Sequence, residues 1–185
     1  MENSTKYLST ISILPNEVLD KEIVFISKAA MTESARLRMK DINYKVLPDI
    51  WGNHKKLKEG SIYLEKLYGN LTKKIGFILN ELHNVDYPYS FWELPMASWL
   101  LYFLHPLYDR YCRLKLTIEL YGKENIVLLA YKHKMGTYPG YPDFIENVCV
   151  NERYVSAFYA EVAIQMGLQV REFTSNESFR GRVFL

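Results

Sequence analysis

The chain has 185 residues, and chains of about 150 residues already bury roughly 70% of their unfolded surface, so one domain with a full core is expected and no second one is required. With 23 Lys plus Arg against 21 Asp plus Glu, the field is nearly neutral, which excludes an electrostatic case for nucleic acid or an anionic membrane surface as partner. The two cysteines, Cys112 and Cys149, show neither CxxC nor Cys/His ligand spacing, so neither structural zinc nor a disulfide framework is expected.

The opening MENSTKYLST lacks the basic segment and long apolar run of a secretory signal, which points to a cytoplasmic setting. Tyr7 to Ile13 and Glu22 to Ser27 are short, rich in β-branched and aromatic residues, and separated by a turn at Pro15 and Asn16, so both read as strands. The second is nearly all apolar, as in a central strand covered on both faces. Ala35 to His54 is mixed and charged, punctuated by Pro48 and Gly52, and reads mostly as loop. From about Asn53 to Leu82 the residues Leu64, Leu67, Leu71, Ile75, Ile78 and Leu82 recur at steps of three and four, the stripe of an amphipathic helix. Gly60, Gly69 and Gly76 each cost about 1 kcal/mol relative to alanine there, so packing must hold that helix.

The next segment contains FWELPMASWLLYFLHPLYDRYCRLK. Ser90 and Glu93 have the spacing of a capping box, and Trp92, Met96, Trp99, Phe103, Leu107 and Tyr111 begin a stripe that continues to Tyr121. The uninterrupted apolar part, about Leu94 to Leu104, is well short of the roughly 20 residues that cross a bilayer, so no transmembrane segment is expected. Pro106 is predicted to kink the helix near Tyr102, and Gly122 to stop it. Asn125 to Tyr131 is a second candidate central strand, followed by the irregular loop KHKMGTYPGYP. Asn151 can cap a helix with Val155, Phe158, Tyr159, Val162 and Met166 inward, closed by Gly167, and Leu168 to Phe173 reads as a last strand. This order predicts an α/β fold: a Rossmann-like, mostly parallel sheet in a single domain over 1–173, with a long helical pair inserted over about 54–121 and an irregular tail over 174–185.

In such a sheet ligands bind beyond the carboxyl ends of the strands. Lys28, in Ser27-Lys28-Ala29-Ala30, follows one strand, and Lys132-His133-Lys134 follows another. A histidine between two lysines suits a phosphate or carboxylate; the competing reading is a solvated basic loop. Tyr138 and Tyr141 in the glycine and proline loop offer rings for stacking on a sugar. Asp109 stands four residues before Arg113 and four after His105, which makes either an acid/base pair with the imidazole or a surface ion pair with the guanidinium. The signatures GxGxxG, GxxxxGK[ST], GxSxG and HExxH are absent, and neither a cofactor nor a metal is expected.

Several longer words carry a resemblance: Leu47-Pro48 with Trp51, the pairs Tyr63-Leu64 and Leu67-Tyr68, Leu79-Asn80 with His83, Trp92 with Trp99, and Leu107-Tyr108-Asp109-Arg110-Tyr111. From about Tyr7 to Gly167 the chain resembles the amino-terminal part of a family of long bacterial transferases encoded in O-antigen and other surface-polysaccharide loci. The resemblance implies a GT-B-like glycosyltransferase, in which two Rossmann-like domains face each other. The amino-terminal one handles the acceptor, and most of the nucleotide-sugar site lies in the other. The chain is then expected to be an acceptor-side domain, incomplete and not catalytic alone, with a sugar or nucleotide-sugar ligand and a second transferase half or another copy of itself as partners. Asp109 and Arg110 are site residues only as this resemblance implies. The sequence departs from the family where Ser27-Lys28-Ala29-Ala30 replaces a Gly-Glu-Trp-Cys-like turn, and where Ser90-Phe91-Trp92-Glu93 and Ala97-Ser98-Trp99 replace Arg-Tyr-Trp-Arg and Gly-Pro-Trp. Loss of two arginines removes bidentate anion contacts. The alternative is therefore a non-enzymatic protein-protein interaction module on a retained transferase scaffold.

Overall fold

Three short apolar segments build the centre of the molecule: β1 (Lys6–Ser9), β2 (Glu22–Phe25) and β4 (Ile126–Tyr131). In the computed structural model, which describes residues 5–30, 42–132, 143, 145, 146 and 151–174, they join β3 (Tyr44–Val46) and β5 (Gln169–Phe173) in a five-stranded sheet of order β3-β2-β1-β4-β5. All four pairings are parallel. Helices α1 (His54–His83) and α2 (Tyr89–Tyr121) lie between β3 and β4 in the chain, and α3 (Glu152–Gln165) between β4 and β5. The α/β fold with a helical pair inserted between strands is borne out. Leu8, Ile23, Val24, Phe25 and Leu128 have no exposed surface, as expected of parallel strands covered on both faces.

Local chemistry sets the element ends. β1 stops earlier than its apolar pattern because the Ser9 hydroxyl turns back to donate to the Ile11 carbonyl at 2.8 Å. β3 corrects the expectation of a loop: its three residues pair with Ile23, Val24 and Phe25, and Tyr44 meets the Phe25 ring edge-on at 5.7 Å. Asn53 caps α1, its side chain accepting from the amides of Lys55 and Lys56. The capping box at Ser90 does not form; α2 begins at Tyr89 behind Pro88, with no side-chain cap. Asn80 organises this turn instead. Its amide nitrogen donates to the Tyr87 carbonyl at 2.8 Å, while its oxygen accepts from the Tyr87 amide at 3.3 Å and from the Trp92 indole at 2.7 Å. Both Pro95 and Pro106 lie inside α2, which runs unbroken to Gly122.

α1 packs chiefly on α2, through a small core of Leu64, Leu100 and Leu104. The helices approach closely where glycine leaves room: Tyr108 and Trp51 lie over Gly60, and Trp92 over Gly76. The carboxyl half of α2 joins the sheet core through Leu114 and Ile118. Trp99, expected on the inward stripe, is 45% exposed, whereas Phe103, Leu107, Leu114 and Ile118 of that stripe pack on the sheet core and Leu100 and Leu104 beside it meet α1. Arg113 reaches the end of β2, whereas α2 begins at Tyr89, roughly 36 Å of helix earlier. The hairpin therefore extends past the carboxyl edge of the sheet. Among the described residues no helix is long and apolar enough to cross a membrane.

Candidate functional site

The carboxyl edge of the sheet is where strand geometry leaves main-chain groups for other elements to meet. At the end of β2, the Ile26 amide donates to the Ser9 carbonyl at 3.0 Å, and the Ile26 carbonyl accepts from Arg113 Nη1 at 3.3 Å. Arg113 is held in turn by Asp109, one helical turn earlier, with Nε 2.9 Å from Oδ1 and 3.1 Å from Oδ2. Asp109 Oδ1 also accepts from the Trp51 indole at 2.6 Å. Trp51 is oriented by Asp49, whose Oδ1 accepts from its amide at 3.0 Å, and its ring leans on Tyr108 at 5.9 Å. One carboxylate thus ties the β3–α1 loop, α2 and the end of β2 into a single frame.

The frame continues onto α3. Burial first, and then the nearby Asp109 charge, push the pKa of the Tyr159 hydroxyl well above the ordinary tyrosine range. Arg110 is only 5% exposed, its guanidinium 4.7 Å from the Phe158 ring and 5.3 Å from that of Tyr159, an arrangement that stabilises a cation through the ring faces. Both residues implied by the resemblance are therefore placed: Asp109 in the frame and Arg110 beneath it. The sequence left Asp109 two partners, and the structure pairs it with Arg113, while His105 Nδ1 faces the Leu101 carbonyl at 2.7 Å. A carboxylate already accepting from both Arg113 and Trp51 is suited to positioning rather than to taking a proton.

Beside the frame, between α1, α2 and α3, lies a cavity of about 360 Å³ whose lining includes Tyr63, Leu67, Leu104, Leu107, Tyr108 and Met166. Tyr108 is pushed up to about 12, first by burial and then by its hydrogen bond with Cys112. Burial likewise raises the Cys112 thiol. Tyr63 stacks on Tyr108 at 5.1 Å.

Lys28 opens a short 3-10 turn after β2 and is exposed. Lys132 follows β4, also exposed, its amide donating to the Phe173 carbonyl at 2.8 Å. The fold brings these two lysines to the same edge, on the strands either side of β1. His133, Lys134, Tyr138 and Tyr141 lie outside the described residues. Sequence reading missed Trp51 and Tyr159 as members of the frame. Only the Asp109 and Arg113 spacing was a local signal; the other two contacts join distant segments. Among the described residues no group of three or more His, Cys, Asp or Glu side chains is placed to hold a metal.

Compared with protein families, residues 9–180 match the LIC12162 family transferase. No curated protein and no solved structure matches the chain. With most of its length matched, the chain belongs to the LIC12162 family of transferases.

Proposed function

We propose that this chain is the acceptor-side domain of a glycosyltransferase that builds bacterial surface polysaccharide. Its family is one of transferases, and the observation that carries the reading is the Trp51–Asp109–Arg113 frame anchored on the Ile26 carbonyl. That frame fixes the helical hairpin as a wall beside the edge where open parallel sheets bind their ligands. In a GT-B arrangement a second Rossmann-like unit brings the nucleotide sugar to this edge. Lys28 and Lys132, with His133 and Lys134, hold its charged group, and Tyr138 or Tyr141 stacks on a sugar ring. Asp109 and Arg110 position the wall. Thermal melts with nucleotide sugars and glycolipid acceptors test this, because a ligand of the folded state raises the melting temperature. A folded sample that responds to none of them overturns the reading.

One observation favours a second reading, a protein-docking module without catalysis. Large apolar side chains crowd the free end of the hairpin: Leu82 is 73% exposed, Leu94 84%, and Phe77, Tyr89 and Phe91 are at least half exposed. Such a patch marks an interaction surface. A chain that self-associates or binds a protein through this tip, with association lost in Leu82→Ser/Leu94→Ser and no response to any sugar compound, establishes this reading over the first.

A further inference from the structure

We propose that Thr10 is a ligand contact, the hydrogen-bonding residue of a subsite for a phosphoryl group at the carboxyl end of β1. The inference rests on the transferase reading for the source of that group and deepens it by naming the chemical class bound.

Strand order places the subsite. From β1 the chain steps to β2 and β3 on one side, and then returns through the helical pair to β4 on the other. The order therefore reverses between β1 and β4, and such a reversal opens a crevice at the carboxyl ends of the two strands. Thr10 is the first residue beyond β1 at that position.

Its hydroxyl is the second, independent observation. Thr10 is 6% exposed, yet Oγ1 has no hydrogen-bond partner among the described residues. Buried polar atoms are nearly always satisfied by protein or water. The neighbouring Ser9 shows the normal state: it is fully buried, and its hydroxyl donates to the Ile11 carbonyl. At the end of β4 the Tyr131 amide is likewise met, by Ser156 Oγ at 2.9 Å. Of these three groups only the Thr10 hydroxyl lacks a partner among the described residues, as a group awaiting a bound molecule does.

Flanking charge selects the class of that molecule. Ser9 is in register with Phe25 on β2 and Leu129 on β4, so Lys28 and Lys132 each follow by three residues the strand residue paired with Ser9, on the two strands that border β1. Adjacent strands are about 4.8 Å apart, and both ammonium groups are on flexible stems that reach across that spacing. A hydroxyl donor between two cations suits an oxygen-rich anion, whereas a neutral sugar hydroxyl gains nothing from the lysines.

The test uses the whole chain and inorganic pyrophosphate as probe, titrated calorimetrically at low salt with the unmodified protein, Thr10→Val, Thr10→Ser and Lys28→Ala/Lys132→Ala. Binding is expected to fall about tenfold or more in Thr10→Val, a loss typical of a hydrogen bond to a charged group. It should be kept in Thr10→Ser and weakened in the double lysine variant. Thr10→Val should melt no lower than the unmodified protein, since no internal hydrogen bond is removed. Undiminished binding in Thr10→Val overturns the subsite, as does a marked fall in its melting temperature or a failure of the unmodified protein to bind pyrophosphate. A chain that ignores pyrophosphate but is stabilised by a neutral glycan acceptor also overturns the subsite, while leaving the transferase reading standing. Binding of pyrophosphate that depends on Thr10, with no response to any sugar compound, supports the subsite and counts against the transferase reading.

Discussion

The sheet and the helical hairpin are stabilised in different ways. In the sheet, β1, β2 and β4 are buried on both faces, and residues such as Leu8, Phe25 and Leu128 have no contact with water. The hairpin has a core of only three buried residues, Leu64, Leu100 and Leu104. It relies on close helix approach at Gly60 and Gly76 and on the polar ties of Asn80 and Asp109. Much of its apolar surface remains exposed. The sheet thus serves as the rigid base, and the hairpin as an arm whose surface is kept available.

The largest effect that sharpens this contrast comes from truncating one phenylalanine in each region. Phe25→Ala empties a fully buried site and is expected to cost about 3–5 kcal/mol in urea unfolding. Phe91, half exposed at the hairpin tip but in contact with the Tyr87 and Trp92 rings, should cost only about 1 kcal/mol as Phe91→Ala. Equal losses would show that the tip is covered in solution, and the contrast would fail.

A second pair of variants probes the helix contact itself. A Cβ at Gly60 would stand 3.1 Å from Tyr108 and 3.4 Å from Trp51, so Gly60→Val should destabilise by about 1–3 kcal/mol through overpacking. Gly69 has nothing within 4 Å of such a Cβ, and Gly69→Ala should stabilise by up to about 1 kcal/mol. If both substitutions shift the midpoint in the same direction, close approach does not hold the hairpin.

The same contrast explains what was legible in the sequence. EIVFIS and NIVLLAY were readable as central strands because burial on both faces leaves a continuous apolar run. Tyr44 to Val46 was not, since three residues with Lys45 turned outward carry no pattern, and their strand state comes from pairing with β2. In the hairpin, periodicity revealed both helices and most of the inward face of α2, including Phe103, Leu107, Leu114 and Ile118, but misplaced Trp99. The glycine contacts on α1 select which row of α2 is buried, leaving Trp99 half exposed. Of the candidate site, the spacing of Asp109 and Arg113 was visible, whereas Trp51, Tyr159 and the lone hydroxyl of Thr10 depend on contacts between distant segments.

The Asp109 frame joins the two regions, and breaking it should have an intermediate effect. Trp51→Phe keeps the ring but removes the indole donor, with an expected cost of about 1–2 kcal/mol. Asp109→Ala should cost at least as much, because it removes the acceptor of the Trp51 indole and leaves Arg113 without its charged partner while still facing the Ile26 carbonyl. Since both changes break the same bond, the double variant should lose less than the sum of the two. Strict additivity in a double-mutant cycle would show that Trp51 and Asp109 act separately.

The smallest expected effect lies at the opposite edge of the sheet. Glu22, at the start of β2, accepts from Lys45 at 2.8 Å and also pairs with Lys6. These bonds, that of Lys45 first, lower its pKa from the usual 4.5 to about 2. A carboxylate whose folded-state value is depressed contributes stability that is fully present above the unfolded value and is lost as the group protonates. The contribution should therefore be intact above pH 4.5 and disappear as the pH falls towards 2. Because the clasp is near the surface, it is also weakened by salt. Glu22→Gln should lower stability slightly at pH 7 and converge with the unmodified protein near pH 2, as followed by urea unfolding across that range. Glu22 stands at the amino edge and Thr10 at the carboxyl edge, so pyrophosphate binding at neutral pH should be unchanged in Glu22→Gln. A change in binding would mean that the two edges are coupled through β1 and β2, and the sheet would then no longer qualify as a rigid base.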